Sequence, residues 1–151
     1  MIRPRIQGCR KERREVLPLF VSPVAAGFPS PADDYIDKSL DLNEHLIQRP
    51  AATFFVRVEG DSMINAGIMP GSLLIVDRSV TPANGSIIVA ILDGEFTVKR
   101  YKKTKDEIIL SPENPRYEPV VIKEGRDFEV WGVVQHVIQS FTAKSKHLRP
   151  D

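Results

Sequence analysis

Ser62 and Lys99 are the two residues of this 151-residue chain whose side chains could together make and break an amide bond. A serine hydroxyl is a weak nucleophile until a neighbouring base takes its proton. A lysine can be that base only when it is neutral, although its free pKa is about 10.4. Burial beside apolar groups depresses such a pKa, so a working lysine has to sit in an enclosed place on a rigid support.

Gly60-Asp61-Ser62-Met63 follows a β-rich run at 53–58, and Gly67 and Pro70-Gly71 close the segment behind it. If 62–66 form a helical turn, the free N–H groups of Ser62 and Met63 at its start can face a developing oxyanion. Gly-Asp-Ser is equally an ordinary turn or N-cap tripeptide, and the local spacing leaves both readings open. GDSL-type esterases also carry Gly-Asp-Ser, with an Asp-x-x-His near the C-terminus. Here the histidines His45, His136 and His147 are preceded at that offset by Leu42, Val133 and Lys144. The base therefore has to be sought among the lysines.

Lys99 lies inside an expected strand at 95–101, where alternation puts it on the face of Thr97 and Tyr101 and turns Phe96 and Val98 the other way. Lys102, Lys103 and Lys105 fall at the polar end of that strand, where solvent takes them. An exposed strand lysine is the competing reading of Lys99, and only its pairing with Ser62 sets it apart.

Strands must carry these groups. From Thr53 onward, short runs rich in β-branched and aromatic residues are separated by turn signals, at 53–58, 72–77, 86–92, 95–101, 107–110, 119–122 and 128–141. Asp93-Gly94 between two such runs predicts a type I′ hairpin, because both turn positions need positive φ. Pro70-Gly71 and Asn84-Gly85 punctuate similarly, and 112–119 reads as a loop. Ahead of this body, Pro29-Ser30-Pro31 breaks regular structure after a separable arm. Ile36 and Leu40 stand four apart, and Asp41 with Glu44 makes a capping-box start before Pro50, so two short helices are expected between 32 and 50. The fold class is mainly β, a compact domain of antiparallel strands with short N-terminal helices and an extended arm. The expected divisions are a partly disordered arm at 1–26, a linker with short helices at 27–52, the β-rich domain at 53–141 and a polar tail at 142–151.

The net charge of +1 gives no global signature of nucleic acid or membrane binding. It hides an asymmetry. Residues 1–16 hold Arg3, Arg5, Arg10, Lys11, Arg13 and Arg14 against Glu12 and Glu15, leaving 15 basic against 18 acidic side chains in the remainder. Cys9 is the single cysteine, which rules out an intrachain disulfide and fits a reducing, cytoplasmic setting. No apolar run approaches the roughly 18 residues of a spanning helix. The basic stretch followed by Val16-Leu17-Pro18-Leu19-Phe20 and small residues also has the look of a signal peptide, although two prolines and a serine interrupt its apolar part.

Taken together, Gly60-Asp61-Ser62-Met63 and Lys99 within Asp93-Gly94-Glu95-Phe96-Thr97-Val98-Lys99, 37 residues on, resemble the serine–lysine dyad of the LexA/UmuD self-cleaving peptidases. Ala26-Gly27-Phe28-Pro29-Ser30-Pro31, Asp41-Leu42-Asn43, Leu73-Leu74-Ile75-Val76-Asp77 and Trp131-Gly132-Val133-Val134-Gln135-His136 match as well. The likeness runs from about Ala25 to Ile138 and is stronger to the UmuD-like members than to LexA itself.

That resemblance implies Ser62 as nucleophile, Lys99 as general base, the Ser62 and Met63 N–H groups as oxyanion donors, and Ala26-Gly27 as the bond cut. It further implies a homodimer, stimulation by RecA filaments on single-stranded DNA in the SOS response, and service of the shortened form beside a UmuC-type translesion polymerase. No cofactor, metal, membrane or sequence-specific DNA contact is expected. The residues around the bond suit such a cut independently: Val24-Ala25-Ala26 is small and extended, and Gly27 offers little hindrance. Two other classes stay open, a non-catalytic dimeric binding module and a secreted product cut near Ala26. A repressor is disfavoured because the stretch before Pro31 is too short and irregular for a helix-turn-helix domain. The basic arm and the polar tail lie outside the likeness. Trp131 reads as a core or interface aromatic.

Overall fold

A computed structural model describes residues 15–20, 24, 26–28 and 36–142. The chain divides into two compact units, Met1–Gln48 and Arg49–Asp151.

In the first unit, strand β1 (Val16–Phe20) pairs antiparallel with β2 (Ile36–Asp41), with a register irregularity at Leu19/Phe20. Asp41 then caps the short helix α1 (Leu42–Leu46), its carboxylate accepting the Asn43 N–H at 2.9 Å. The expected helix over 32–40 is not formed in its described part. Ile36 and Leu40 share a face under a two-residue period just as they do under a helical one, and cross-strand pairing with β1 decides for the strand. The helix expected after Asp41 forms, one turn long.

The second unit is built on one sheet. Its strands are β3 (Thr53–Arg57), β4 (Leu73–Asp77), β5 (Ile87–Leu92), β6 (Glu95–Lys103), β7 (Ile108–Ser111), β8 (Val120–Ile122) and β9 (Phe128–Ile138). All neighbours are antiparallel, in the order β3-β4-β9-β5-β6-β7-β8. The β5–β6 hairpin turns on Asp93 and Gly94, with φ of 50° and 82°, as the type I′ expectation requires. The protein is thus mainly β, and the second unit has seven strands where seven apolar runs stand in the sequence.

Consecutive residues of β5 serve different clusters. Val89 packs with Val58, Met63, Ile68, Leu74 and Val76, whereas Ile88 and Ala90 pack with Tyr101, Leu110 and Val133. Adjacent side chains on a strand point to opposite faces, so the central strands are covered on both sides and read as continuous apolar runs rather than alternating ones. Met63, immediately after Ser62, is 2% exposed and ties the start of its loop to the first cluster.

Strand β9 departs from regular pairing at two places. Its register slips opposite Ile75/Val76 of β4 and again opposite Val89/Ala90 of β5, where Trp131 is passed over. The Trp131 ring meets Phe54 at 5.4 Å and Phe96 edge-on at 5.8 Å, with the Arg78 guanidinium 4.7 Å above it. Trp131 is half-buried against the first cluster. Bulges commonly re-aim a side chain in this way.

Candidate active site

Ser62 sits in the loop that leaves β3. Gly60 takes φ of 80°, a conformation cheap only for glycine, and turns the chain out of its extended course. The one-turn 3₁₀ segment Ile64–Ala66 follows, closed by Gly67 in the left-handed region with its N–H on the Ile64 carbonyl. This is a helical turn of the kind the sequence suggested, though it starts two residues later than Ser62. Among the described residues, no protein acceptor meets the N–H of Ser62 or of Met63.

Lys99 sits within β6, opposite Ile88 of β5. Its Nζ lies 3.1 Å from Ser62 Oγ, 3.0 Å from Thr97 Oγ1 and 3.0 Å from the Val98 carbonyl. Burial lowers the Lys99 pKa from its ordinary value, and among the described residues no carboxylate is ion-paired with it to restore the charge. A neutral amine has two N–H donors and one lone pair. The Val98 carbonyl can only accept and Thr97 Oγ1 can do so as well, which leaves the lone pair for the Ser62 hydroxyl proton. The same three neighbours would also satisfy an ammonium. Desolvation is what favours the neutral form here.

Both side chains line one cleft of about 330 Å³, whose apolar walls include Val56, Val58, Met63 and Val89. Phe96, 67% exposed, lines the same cleft and carries it towards Trp131. Lys102, Lys103 and Lys105 are exposed, as their polar surroundings suggested. His45 lies on α1 and His136 on β9, neither in the cleft, and His147 is outside the described residues, as is Cys9.

Ala26 and Gly27 belong to the connection between β1 and β2. Ala26, Gly27 and Phe28 are all exposed and follow a bend instead of the extended course expected for this segment. A Cβ added at Gly27 would meet nothing within 4 Å, so packing in this conformation does not require glycine there. Ala25 lies outside the described residues.

The loop between β7 and β8 is part of the site, which its sequence did not suggest beyond being a loop. The Glu113 N–H donates to the Ser62 carbonyl at 2.9 Å, and the Glu113 carbonyl accepts from the Asn65 N–H at 2.9 Å. Asn114 Nδ2 donates to the Asp61 carbonyl at 2.9 Å, and the Tyr117 hydroxyl donates to the Asp61 carboxylate. That bond, with the charge of Asp61, raises the Tyr117 pKa. Glu113 is also ion-paired to Arg100, the residue after Lys99. Only the run of Asn, Tyr and prolines in 112–119 could have marked this loop as more than a connection.

A half-buried serine, a desolvated lysine at hydrogen-bond distance and two unengaged backbone donors form a set able to carry out acyl transfer. Residues 18–135 match the family described as Peptidase S24-like. The chain belongs to this family. Within the Peptidase S24-like group it is a UmuD-like member of the LexA/UmuD peptidases, similar to Protein ImpA of Salmonella typhimurium at 47% identity over 131 residues, covering 82% of this chain and 83% of the relative. Protein SamA of Salmonella typhimurium is 50% identical over 117 residues, covering 78% and 81%. LexA repressor 1 of Geobacter sulfurreducens is 43% identical over 102 residues, which is 68% of this chain and 50% of the repressor. Among the described residues, no helix is long and apolar enough to cross a membrane.

Proposed function

We propose that this chain is an autoproteolytic serine endopeptidase that cuts its own Ala26-Gly27 bond. The carrying observation is the 3.1 Å approach of Lys99 Nζ to Ser62 Oγ beside a lysine whose burial favours the neutral amine. Lys99 takes the Ser62 proton as Oγ bonds to the Ala26 carbonyl carbon, and the Ser62 and Met63 N–H groups hold the oxyanion. The carbon–nitrogen bond then breaks, and the Gly27 amine leaves with the proton that Lys99 carried. Water, deprotonated by Lys99, attacks the acyl-serine. Residues 1–26 are released with a new carboxylate, and Ser62 is regenerated.

Exposure of Ala26 and Gly27 supports the choice of bond, since a peptidase must reach its substrate from all sides. The bend there has to straighten to enter the cleft, where an extended segment can pair through its main chain. Effective molarities of about 10⁵ to 10⁸ M make a tethered substrate of this kind favourable. Kinship with UmuD-like proteins supports a biological setting of this kind: a cytoplasmic homodimer, RecA filaments on single-stranded DNA as the stimulus in the SOS response, and a processed form that joins a UmuC-type polymerase in error-prone translesion synthesis.

The test is mass spectrometry of the purified chain incubated at alkaline pH and, separately, with activated RecA. A fragment of residues 1–26 is the expected product. An intact chain under both conditions, or equal processing of Ser62→Ala, would remove the proposal.

A further inference from the structure

We propose that Asn114 is a positioning residue that sets the Ser62 N–H, one of the two oxyanion donors, from behind, through the carbonyl end of the peptide unit that carries it; this rests on the peptidase reading above. In a trans peptide, the N–H of one residue and the C=O of the residue before it share a plane and point in opposite directions. The Ser62 N–H therefore turns with the Asp61 carbonyl, and the Met63 N–H turns with the Ser62 carbonyl. Each of these carbonyls is held at 2.9 Å by the β7–β8 loop, the first by Asn114 Nδ2 and the second by the Glu113 N–H. Neither N–H is engaged by a protein acceptor, so both bonds act on the far ends of the two donors and leave the donors open.

The orientation of the Asn114 amide is fixed by its surroundings. Its Oδ1 accepts the Arg116 N–H at 3.0 Å, which only an oxygen can do, and Nδ2 is thereby directed at Asp61. Asn114 is 5% exposed, so its amide has no access to alternative solvent partners. A carbonyl that accepts a hydrogen bond also polarises its peptide, which makes the opposite N–H a better donor. Two effects converge on the same groups: the planes are prevented from rotating, and their N–H ends are strengthened.

The loop also reaches the base. The Glu113 carboxylate is ion-paired to Arg100, whose Nη1 donates to the Gly85 carbonyl at 2.6 Å. One residue of the loop thus holds both the carbonyl of Ser62 and the strand position after Lys99. In a seven-stranded sheet where Ser62 and Lys99 come from separate elements, this is a short mechanical link between nucleophile and base.

The experiment compares full-length wild type with Asn114→Ala and Asn114→Asp, the second nearly isosteric but without the N–H donors. Self-cleavage is followed as a function of pH, with thermal unfolding measured in parallel. Loss of one oxyanion donor outright costs about 10² to 10³ in rate, so one loosened donor is expected to lower the plateau roughly 10- to 100-fold. The pH midpoint, which belongs to Lys99, stays in place. The Ser62 amide nitrogen resonance is expected to move upfield, and its hydrogen exchange to quicken, in both variants.

Wild-type plateaus in both variants with an unmoved Ser62 amide would overturn the proposal. So would a rate loss that follows the unfolded fraction while the amide stays put. A wild type that never cleaves would sink the peptidase reading instead, and the amide measurements would still decide whether Asn114 sets the peptide plane.

Discussion

Lys99 Nζ and Ser62 Oγ, 37 residues apart in the chain, stand 3.1 Å apart in the cleft, and among the described residues no acidic group is paired with the lysine. A carboxylate partner would stabilise the ammonium and hold the pKa up; here burial acts alone and lowers it. The neutral, proton-accepting form of Lys99 therefore gains population as pH rises through that lowered value. Self-cleavage is expected to accelerate tenfold per pH unit below the midpoint and then level off. Lys99→Arg, which cannot deprotonate, should abolish cleavage at every pH. A flat profile measured by gel densitometry between pH 6 and 10 would contradict this assignment.

Ser62→Ala removes the nucleophile while taking away only the hydroxyl bonded to Lys99. Cleavage should fall by roughly 10⁴-fold or more, in line with nucleophile deletions in serine peptidases, and the unfolding midpoint should hardly move. Gly27→Glu tests the other partner of the reaction. Open space surrounds Gly27, so this variant should fold as wild type yet resist cleavage, as judged by intact mass.

Gly132 is a structural necessity of the sheet. A Cβ there would lie 2.5 Å from Val76 Cγ1 and 3.3 Å from Arg78 Cγ, and Val76 is fully buried and short. Gly132→Ala should destabilise by about 1–3 kcal/mol through overpacking. Adding Val76→Ala should recover part of that loss, so the two changes are non-additive in urea unfolding.

Asp77 makes one contribution to the acid sensitivity of the second unit. Its carboxylate accepts from the Ser79 hydroxyl at 2.6 Å, the Ser79 N–H at 2.8 Å and Arg49 Nη1 at 3.1 Å. These bonds outweigh desolvation and lower its pKa, the Ser79 hydroxyl bond contributing most. A carboxyl with a depressed folded pKa adds stability that is complete above the unfolded value of about 3.9 and is lost as pH falls through the folded value. Asp77→Ala should thus cost roughly 1–3 kcal/mol at pH 7 and progressively less in acid. A constant difference from pH 7 to pH 2 in chemical unfolding would refute this.

The strands were readable because each is a short apolar run bounded by turn residues, and Asp93-Gly94 set one hairpin register outright. Residues 36–41 were not, since Ile36 and Leu40 satisfy both periods and the deciding partner, β1, lies some 20 residues upstream. The proximity of Ser62 to Lys99 was legible only as a pairing, for neither residue is distinctive alone. Asn114 and Tyr117 were invisible because their bonds to Asp61 span 53 and 56 residues, and no local pattern encodes a contact of that range.

The sheet order has one further consequence. Ser62 leaves from the edge strand β3 and Lys99 rides on β6, and between them stand β4, β9 and β5. Strand β9 is the last of these to emerge from the ribosome, and it separates two halves that do not otherwise pair. Until it has been synthesised and inserted, no strand pairing joins the fragment that carries the nucleophile to the one that carries the base, and only contacts such as those of the β7–β8 loop can link them. Under the peptidase reading, a growing polypeptide is therefore expected to gain the full sheet support for self-cleavage only once the β9 strand has slotted into place.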